Sequence, residues 1–129
     1  MNLLLDTHIW IWYVEGNPKL SQTLKTALED ENNLLFISPI SIWEILILAE
    51  KKKIQLNPSP IIWIAKAIQI LGLQESPLTN EIAILSRQLD LVHQDPSDRF
   101  IAATAVYYNL ILATVDTNLT SDTCLQTLS

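Results

Sequence analysis

Four acidic residues stand where they could do chemistry. Asp6 ends the apolar run Leu3-Leu4-Leu5, and Asp116 ends the run Ile111 to Val115. Each stands where a strand would stop, although aspartate also begins turns and caps helices routinely. Glu44 is harder to explain in that way. It lies inside Ile40-Ser41-Ile42-Trp43-Glu44-Ile45-Leu46-Ile47-Leu48, and its helical neighbours Ile40, Ser41, Ile47 and Leu48 include no cation. A carboxylate buried without a local partner is costly unless it is protonated, paired from a distance or bound to metal. Asp98 opens the stretch Asp98-Arg99-Phe100-Ile101-Ala102-Ala103, where a first-turn acid suits the helix dipole. Asp95, three residues earlier, fits the role of cap better and leaves Asp98 available. Carboxylates gathered at one place repel one another by several kcal/mol per close pair, and a divalent cation removes that cost. Magnesium and manganese take oxygen ligands. Such a site can align a phosphodiester, activate a water and stabilise the leaving oxygen.

The rest of the sequence narrows the chemistry. Gly16 and Gly72 are the only glycines, so a Walker loop or a Rossmann dinucleotide site is excluded. His8 and His93 are weaker ligand candidates, because hard-metal sites built from aspartate seldom need imidazole. Trp10, Trp12, Trp43 and Trp63 could stack bases. Trp10 and Trp12 are two apart on one short helix and cannot share a face, and core packing or a subunit interface is the simpler reading for all four. Lys51 to Lys53 could steer a polyanion, yet a solvated helix end explains them more cheaply. Arg99 is read as pairing with Asp95 to fix a loop, and Cys124 as inert.

The elements that must position these residues alternate. Asn2 to Leu5 reads as a strand, Thr7 to about Glu15 as a helix stopped at Gly16-Asn17-Pro18, and Ser21 as the cap of a helix to about Asp30. Leu34 to Ile37 is a second strand. Ser41 is read as capping a long helix that ends in Lys51-Lys52-Lys53, a cationic ending suited to the dipole. Pro58 and Pro60 mark the next helix, closed by Gly72, and Leu73 to Glu75 is a short strand. Thr79 caps a helix to about Leu89, His93 to Ser97 is a loop, and Asp98 to Tyr108 is helical. Leu110 to Val115 is the clearest strand, and Leu125 to Leu128 is read as an edge strand. This alternation predicts an α/β fold with a parallel sheet covered on both faces. Ligands then bind beyond the carboxyl ends of the strands, where Asp6 and Asp116 fall.

At 129 residues the chain reads as a single domain, 1–129, without repeats or linkers. Its longest apolar stretches are too short to span a bilayer. The start Met1-Asn2-Leu3-Leu4-Leu5-Asp6 lacks the basic region of a signal peptide. A lone cysteine is simplest in a reducing cytoplasm. The net charge of −6 counts against bulk electrostatic binding of nucleic acid, and neutralising four carboxylates would bring it to −2.

Leu4-Leu5-Asp6-Thr7-His8, Ser41-Ile42-Trp43-Glu44-Ile45, Asp95-Pro96-Ser97-Asp98-Arg99-Phe100-Ile101-Ala102-Ala103 and Ala113-Thr114-Val115-Asp116 occur in an order that resembles PIN-domain proteins. The set looks most like the VapC-type toxins of type II toxin–antitoxin pairs, over nearly the whole chain. The resemblance implies a three-layer sandwich, a central parallel sheet of four to five strands flanked by helices. It implies an endoribonuclease using one or two magnesium or manganese ions. Motif by motif, it puts the catalytic and metal-binding acids at Asp6, Glu44, Asp98 and Asp116, supported by Thr7, Thr114 and Asn118. It also implies a homodimer and a small cognate antitoxin, and the apolar segment Ile61-Ile62-Trp63-Ile64 suits burial in a dimer or under that antitoxin. The sequence departs from the pattern in Thr7-His8, where many relatives have Thr-Asn, and in Asn118, where some have a further acid.

A metal-dependent endoribonuclease is therefore the leading expectation. The acidic charge and Asn118 favour, as the alternative, a PIN-fold binding or regulatory protein with weak or no nuclease activity. A small-substrate phosphatase ranks last, because Asp6-Thr7-His8 lacks the second aspartate that one large phosphatase class carries.

Overall fold

The computed structural model describes residues 1–92, 95–120 and 124–129. His93, read as a candidate ligand, and Gln94 lie outside the described residues. Five parallel strands, β1 (Asn2–Leu5), β2 (Leu34–Ile37), β3 (Gln74–Glu75), β4 (Ile111–Ala113) and β5 (Thr127–Leu128), form one sheet in the order β3-β2-β1-β4-β5. The helices between them are α1 (Thr7–Glu15), α2 (Gln22–Glu29), α3 (Pro39–Glu50), α4 (Pro60–Leu71), α5 (Asn80–Gln88), α6 (Pro96–Tyr107) and the short α7 (Thr117–Thr120).

The three-layer arrangement follows from the period of two in β1. Leu3 and Leu5 point into one core with Ile9, Trp10, Leu24, Ile45 and Ile64, drawn from α1, α2, α3 and α4. Leu4 points the other way, into a second core with Ile101, Ala102 and Ala105 of α6 and Leu119 of α7. All three leucines are fully buried, as a central parallel strand requires. Helix α3 touches both layers, since Ile45 belongs to the first core and Ile40 packs on the second. It is thereby able to carry Glu44 to the sheet's edge. The chain fills one side of β1 through β2 and β3 and then returns to β4 on the other side. The reversal lies between β1 and β4, the switch point where open parallel sheets bind ligands.

Several boundaries differ from those read in the sequence. Helix α3 begins at Pro39, capped by Ser38, whose hydroxyl accepts the Ile40 N–H at 3.1 Å. Proline is preorganised for the first helical position, so Ser41 falls inside the helix and is fully buried. Helix α6 likewise begins at Pro96, and Asp95 is its cap as expected. Strand β4 covers only Ile111–Ala113 of the stretch Leu110 to Val115; the Thr114 N–H still reaches the Leu128 carbonyl at 3.1 Å, and beyond it the chain turns at Asp116 into α7. Helix α7 is an addition. Its four residues carry no periodicity, and it is nucleated by Asp116, whose carbonyl accepts the N–H groups of Leu119 and Thr120.

Candidate active site at the strand ends

The end of β1 and the end of β4 are stitched together. The Asp6 N–H donates to the Ala113 carbonyl at 3.0 Å, extending the ladder one step. The Asp6 carboxylate then accepts at both oxygens. Oδ1 takes the Thr7 N–H at 2.8 Å, as the cap of α1, and Oδ2 takes the Thr114 hydroxyl at 2.7 Å. The same Thr114 oxygen accepts the Asp116 N–H at 3.1 Å, so one buried threonine sets the distance between the two aspartates.

Glu44 is brought in from α3 by a second hydroxyl. Thr7 Oγ1 donates to Glu44 Oε1 at 2.7 Å and lies 2.9 Å from Ser41 Oγ. Both Thr7 and Ser41 are buried, so α1 and α3 are joined through polar atoms where water cannot compete. Ser97, at the start of α6, donates its hydroxyl to Asp95 Oδ1 at 2.8 Å and lines the same groove as Glu44.

The field at these carboxylates is unusual for acids on a protein edge. Burial raises the proton affinity of Asp6 above the ordinary range, and Asp116 pushes the same way. The Thr114 hydroxyl, the Thr7 N–H and the charge of His8 only partly offset this. Burial also raises Glu44, with the negative charges of Asp6 and Asp95 adding to it and the hydroxyls of Thr7 and Ser97 pulling back. Among the described residues, no lysine or arginine contributes to the field at either group. The local structure holds two carboxylates together and leaves their charge largely uncompensated.

The other sequence candidates fall around this pair. Asp116 is in electrostatic reach of Asp6, and its Oδ1 accepts the Asn118 N–H at 2.9 Å. Asn118 itself sits exposed on α7. Asp98 lies in the first turn of α6, next to Ser97, with its N–H 3.4 Å from Asp95 Oδ1. Among the described residues, no three His, Cys, Asp or Glu side chains are close enough to form a ready-made metal chelate. Magnesium does not require one, since it keeps several waters beside one or two carboxylates. The donors fit such an ion: they are all oxygen, Asp6 and Glu44 are half-buried and raised, and hydroxyls fix their orientation. His8 is exposed and tilts against Trp12, with ring centroids 6.1 Å apart.

Sequence reasoning overlooked Ser97 and misread Ser41, because a serine's contact across two elements leaves no trace in local spacing. Arg99 has a role that its spacing from Asp95 did not suggest. It is buried and donates to the carbonyls of Ser86, Leu89 and Leu91, tying the end of α5 to α6. The tryptophans divide: Trp10 is fully buried against Trp63, whereas Trp43 is 55% exposed beside Glu44.

A family model described as the PIN domain matches residues 3–121. The chain belongs to the PIN-domain family. This PIN domain is 31% identical over 122 residues to "Ribonuclease VapC22" of Mycobacterium tuberculosis, covering 92% of this chain and 90% of the relative. The VapC likeness read from the motifs is thus borne out. Among solved structures it resembles that of VapBC2 from Rickettsia felis bound to a promoter DNA fragment. The TM-score is 0.72 at 20% identity, covering 99% of this chain and 98% of that one. DNA-bound VapBC from Salmonella typhimurium gives a TM-score of 0.69 at 17% identity, over 99% and 97% of the two chains. At these identities the structural likeness concerns the fold, and it bears out the parallel sheet flanked by helices.

Proposed function

We propose that this PIN domain is a magnesium- or manganese-dependent endoribonuclease and the toxin of a toxin–antitoxin pair. The observation that carries the proposal is the Asp6–Thr7–Glu44 arrangement, two half-buried carboxylates held together through Thr7 with no lysine or arginine among the described residues to neutralise them. The name of the Mycobacterium tuberculosis relative supports RNA as the substrate. Asp6, Glu44, Asp98 and Asp116 are the residues proposed to hold one or two ions. A bound ion would supply charge neutralisation at the scissile phosphate and an activated water. Thr114 orients Asp6 and sets its separation from Asp116, while Thr7 and Ser97 orient Glu44. Thr7 and Thr114, being buried, also keep water from relaxing that geometry.

The partners follow the same reasoning. Ile61, Ile62 and Ile70 of α4 are exposed around the helix, and such uncovered apolar side chains suit a small antitoxin or a second copy. No helix among the described residues is long and apolar enough to cross a membrane. A cytoplasmic home remains the reading that a lone cysteine supports. The net charge of −6 favours a second reading, a PIN-fold regulator with weak or no nuclease activity.

The test is cleavage of a mixed RNA pool by purified protein with magnesium or manganese, beside Asp6→Asn and Asp98→Asn. Ion-dependent cleavage by the wild type and its loss in both variants is the expected result. Equal cleavage by all three would assign the activity elsewhere. Binding of RNA without any cleavage would favour the regulator.

A further inference from the structure

We propose that the groove beside Glu44 is a nucleotide subsite, in which Trp43 stacks a base flanking the cleaved bond and Lys51 holds a neighbouring phosphate. The proposal rests on the nuclease reading above. The groove encloses about 380 Å³ and is lined by Trp43, Glu44, Ile47, Leu48 and Lys51 of α3 and its end, with Asp95, Pro96 and Ser97 opposite. That size suits a small ligand or a single nucleotide unit.

Three observations converge on a nucleotide. First, Trp43 is 55% exposed, whereas Trp10 is fully buried and Trp12 and Trp63 are partly covered. An indole so exposed gains little from the core, and it stands one residue from a proposed catalytic acid. Second, Trp43, Ile47 and Lys51 recur every four residues and form one stripe along α3. The stripe runs about 12 Å from the acid end to the lysine end, which leaves room for a base and the next phosphate. Third, the charge is graded along it. Glu44 and Asp95 lie toward one end and Lys51 toward the other, continued by exposed Lys52 and Lys53. Three of the chain's eight basic residues are therefore gathered where a polyanion leaving the acidic centre would need them. A protein partner would also find an aromatic residue here, but it would have no need of the acid-to-base gradient.

The test is equilibrium binding of a short single-stranded oligoribonucleotide in EDTA, followed by tryptophan fluorescence, for wild type, Trp43→Phe, Trp43→Ala and Lys51→Ala. Stacking should quench the wild-type emission. Trp43→Ala should weaken binding by about five-fold or more and abolish most of the quench, with Trp43→Phe retaining part of the affinity. Lys51→Ala should reduce the salt dependence by about one phosphate contact. With magnesium or manganese present, Trp43→Ala should raise KM more than it lowers kcat. Because Trp43 is exposed, unchanged melting temperatures are expected to accompany these effects.

Wild-type affinity, quenching and KM in Trp43→Ala would overturn the subsite while leaving nuclease activity intact. A Trp43→Ala variant that binds RNA normally but loses association with a second copy or a protein partner would also overturn it, and would assign Trp43 to an interface. Failure of the nuclease reading looks different: the wild type would cleave no RNA with either ion, whatever the binding data gave.

Discussion

Glu44 is the residue whose surroundings most need a function. Its carboxyl and that of Asp6 are held above the ordinary value of about 4, chiefly by burial. In the window between that value and their raised folded values, the folded protein binds protons that the unfolded chain has released. Their contribution to stability therefore falls as pH rises through the window and stays lost above it. In EDTA, as pH rises above the ordinary carboxylate range, the melting temperature of the wild type should drop more steeply than that of Glu44→Gln; equal slopes would mean that burial is not the cause. Thr7 is the hinge of the pair. Thr7→Val keeps the volume but leaves Glu44 without its hydroxyl donor, at a cost of about 1–3 kcal/mol. RNA cleavage should fall roughly ten-fold or more as Glu44 loses its orientation. Glu44 was legible in the sequence because an acid amid apolar residues contradicts its helix. Ser97 was not, because its contact with Glu44 depends on how α6 meets α3.

The elements were read with fair fidelity where local chemistry decides them. Gly16 and Gly72 end α1 and α4 at φ 66° and 63°, as their positions promised. The end of α3 breaks that pattern. Lys53 donates to Leu48 and Lys52 to Ala49, the two bonds of a Schellman ending, and Lys52 takes φ 56° where glycine is preferred. Lys52→Gly should stabilise the protein by about 0.5–1 kcal/mol, measured by urea unfolding, and destabilisation would show that the lysine side chain contributes more than its strain costs. Arg99 is the converse case, a charge whose structural role local spacing did not show. Its guanidinium satisfies the carbonyls of Ser86, Leu89 and Leu91 at the joint of α5 and α6. Arg99→Ala should cost roughly 3 kcal/mol or more, and Arg99→Lys should recover little because an ammonium cannot reproduce the planar fork. Helix α7 and the shortened β4 were illegible for one reason: both are set by the Thr114 and Asp116 turn against β1, a contact distant in sequence.

In the whole molecule, the parallel sheet turns two ordinary strand endings into neighbours. Asp6 and Asp116 end neighbouring strands because β1 and β4 pair at the switch point, and Glu44 of α3 reaches Asp6 through the Thr7 hydroxyl. Taken singly, Asp6 and Asp116 are routine turn signals; their order along the chain, with Glu44 and Asp98 between them, carried the family resemblance. The net charge of −6, unfavourable for an RNA-binding protein as a bulk figure, is distributed usefully, with acids at the strand ends and Lys51 to Lys53 at the end of α3. The exposed isoleucines of α4 give the outer surface its own expected behaviour. Replacing Ile61 and Ile70 with aspartate should abolish association with a second copy or an antitoxin, read by size-exclusion chromatography with light scattering, without unfolding the chain. The carboxylate set itself is tested by titrating manganese calorimetrically into the wild type, Asp6→Asn and Glu44→Gln. The wild type should bind with a Kd below about one millimolar, and each variant should bind at least about ten-fold more weakly. Manganese affinity unchanged in both variants would contradict a metal centre built on Asp6 and Glu44.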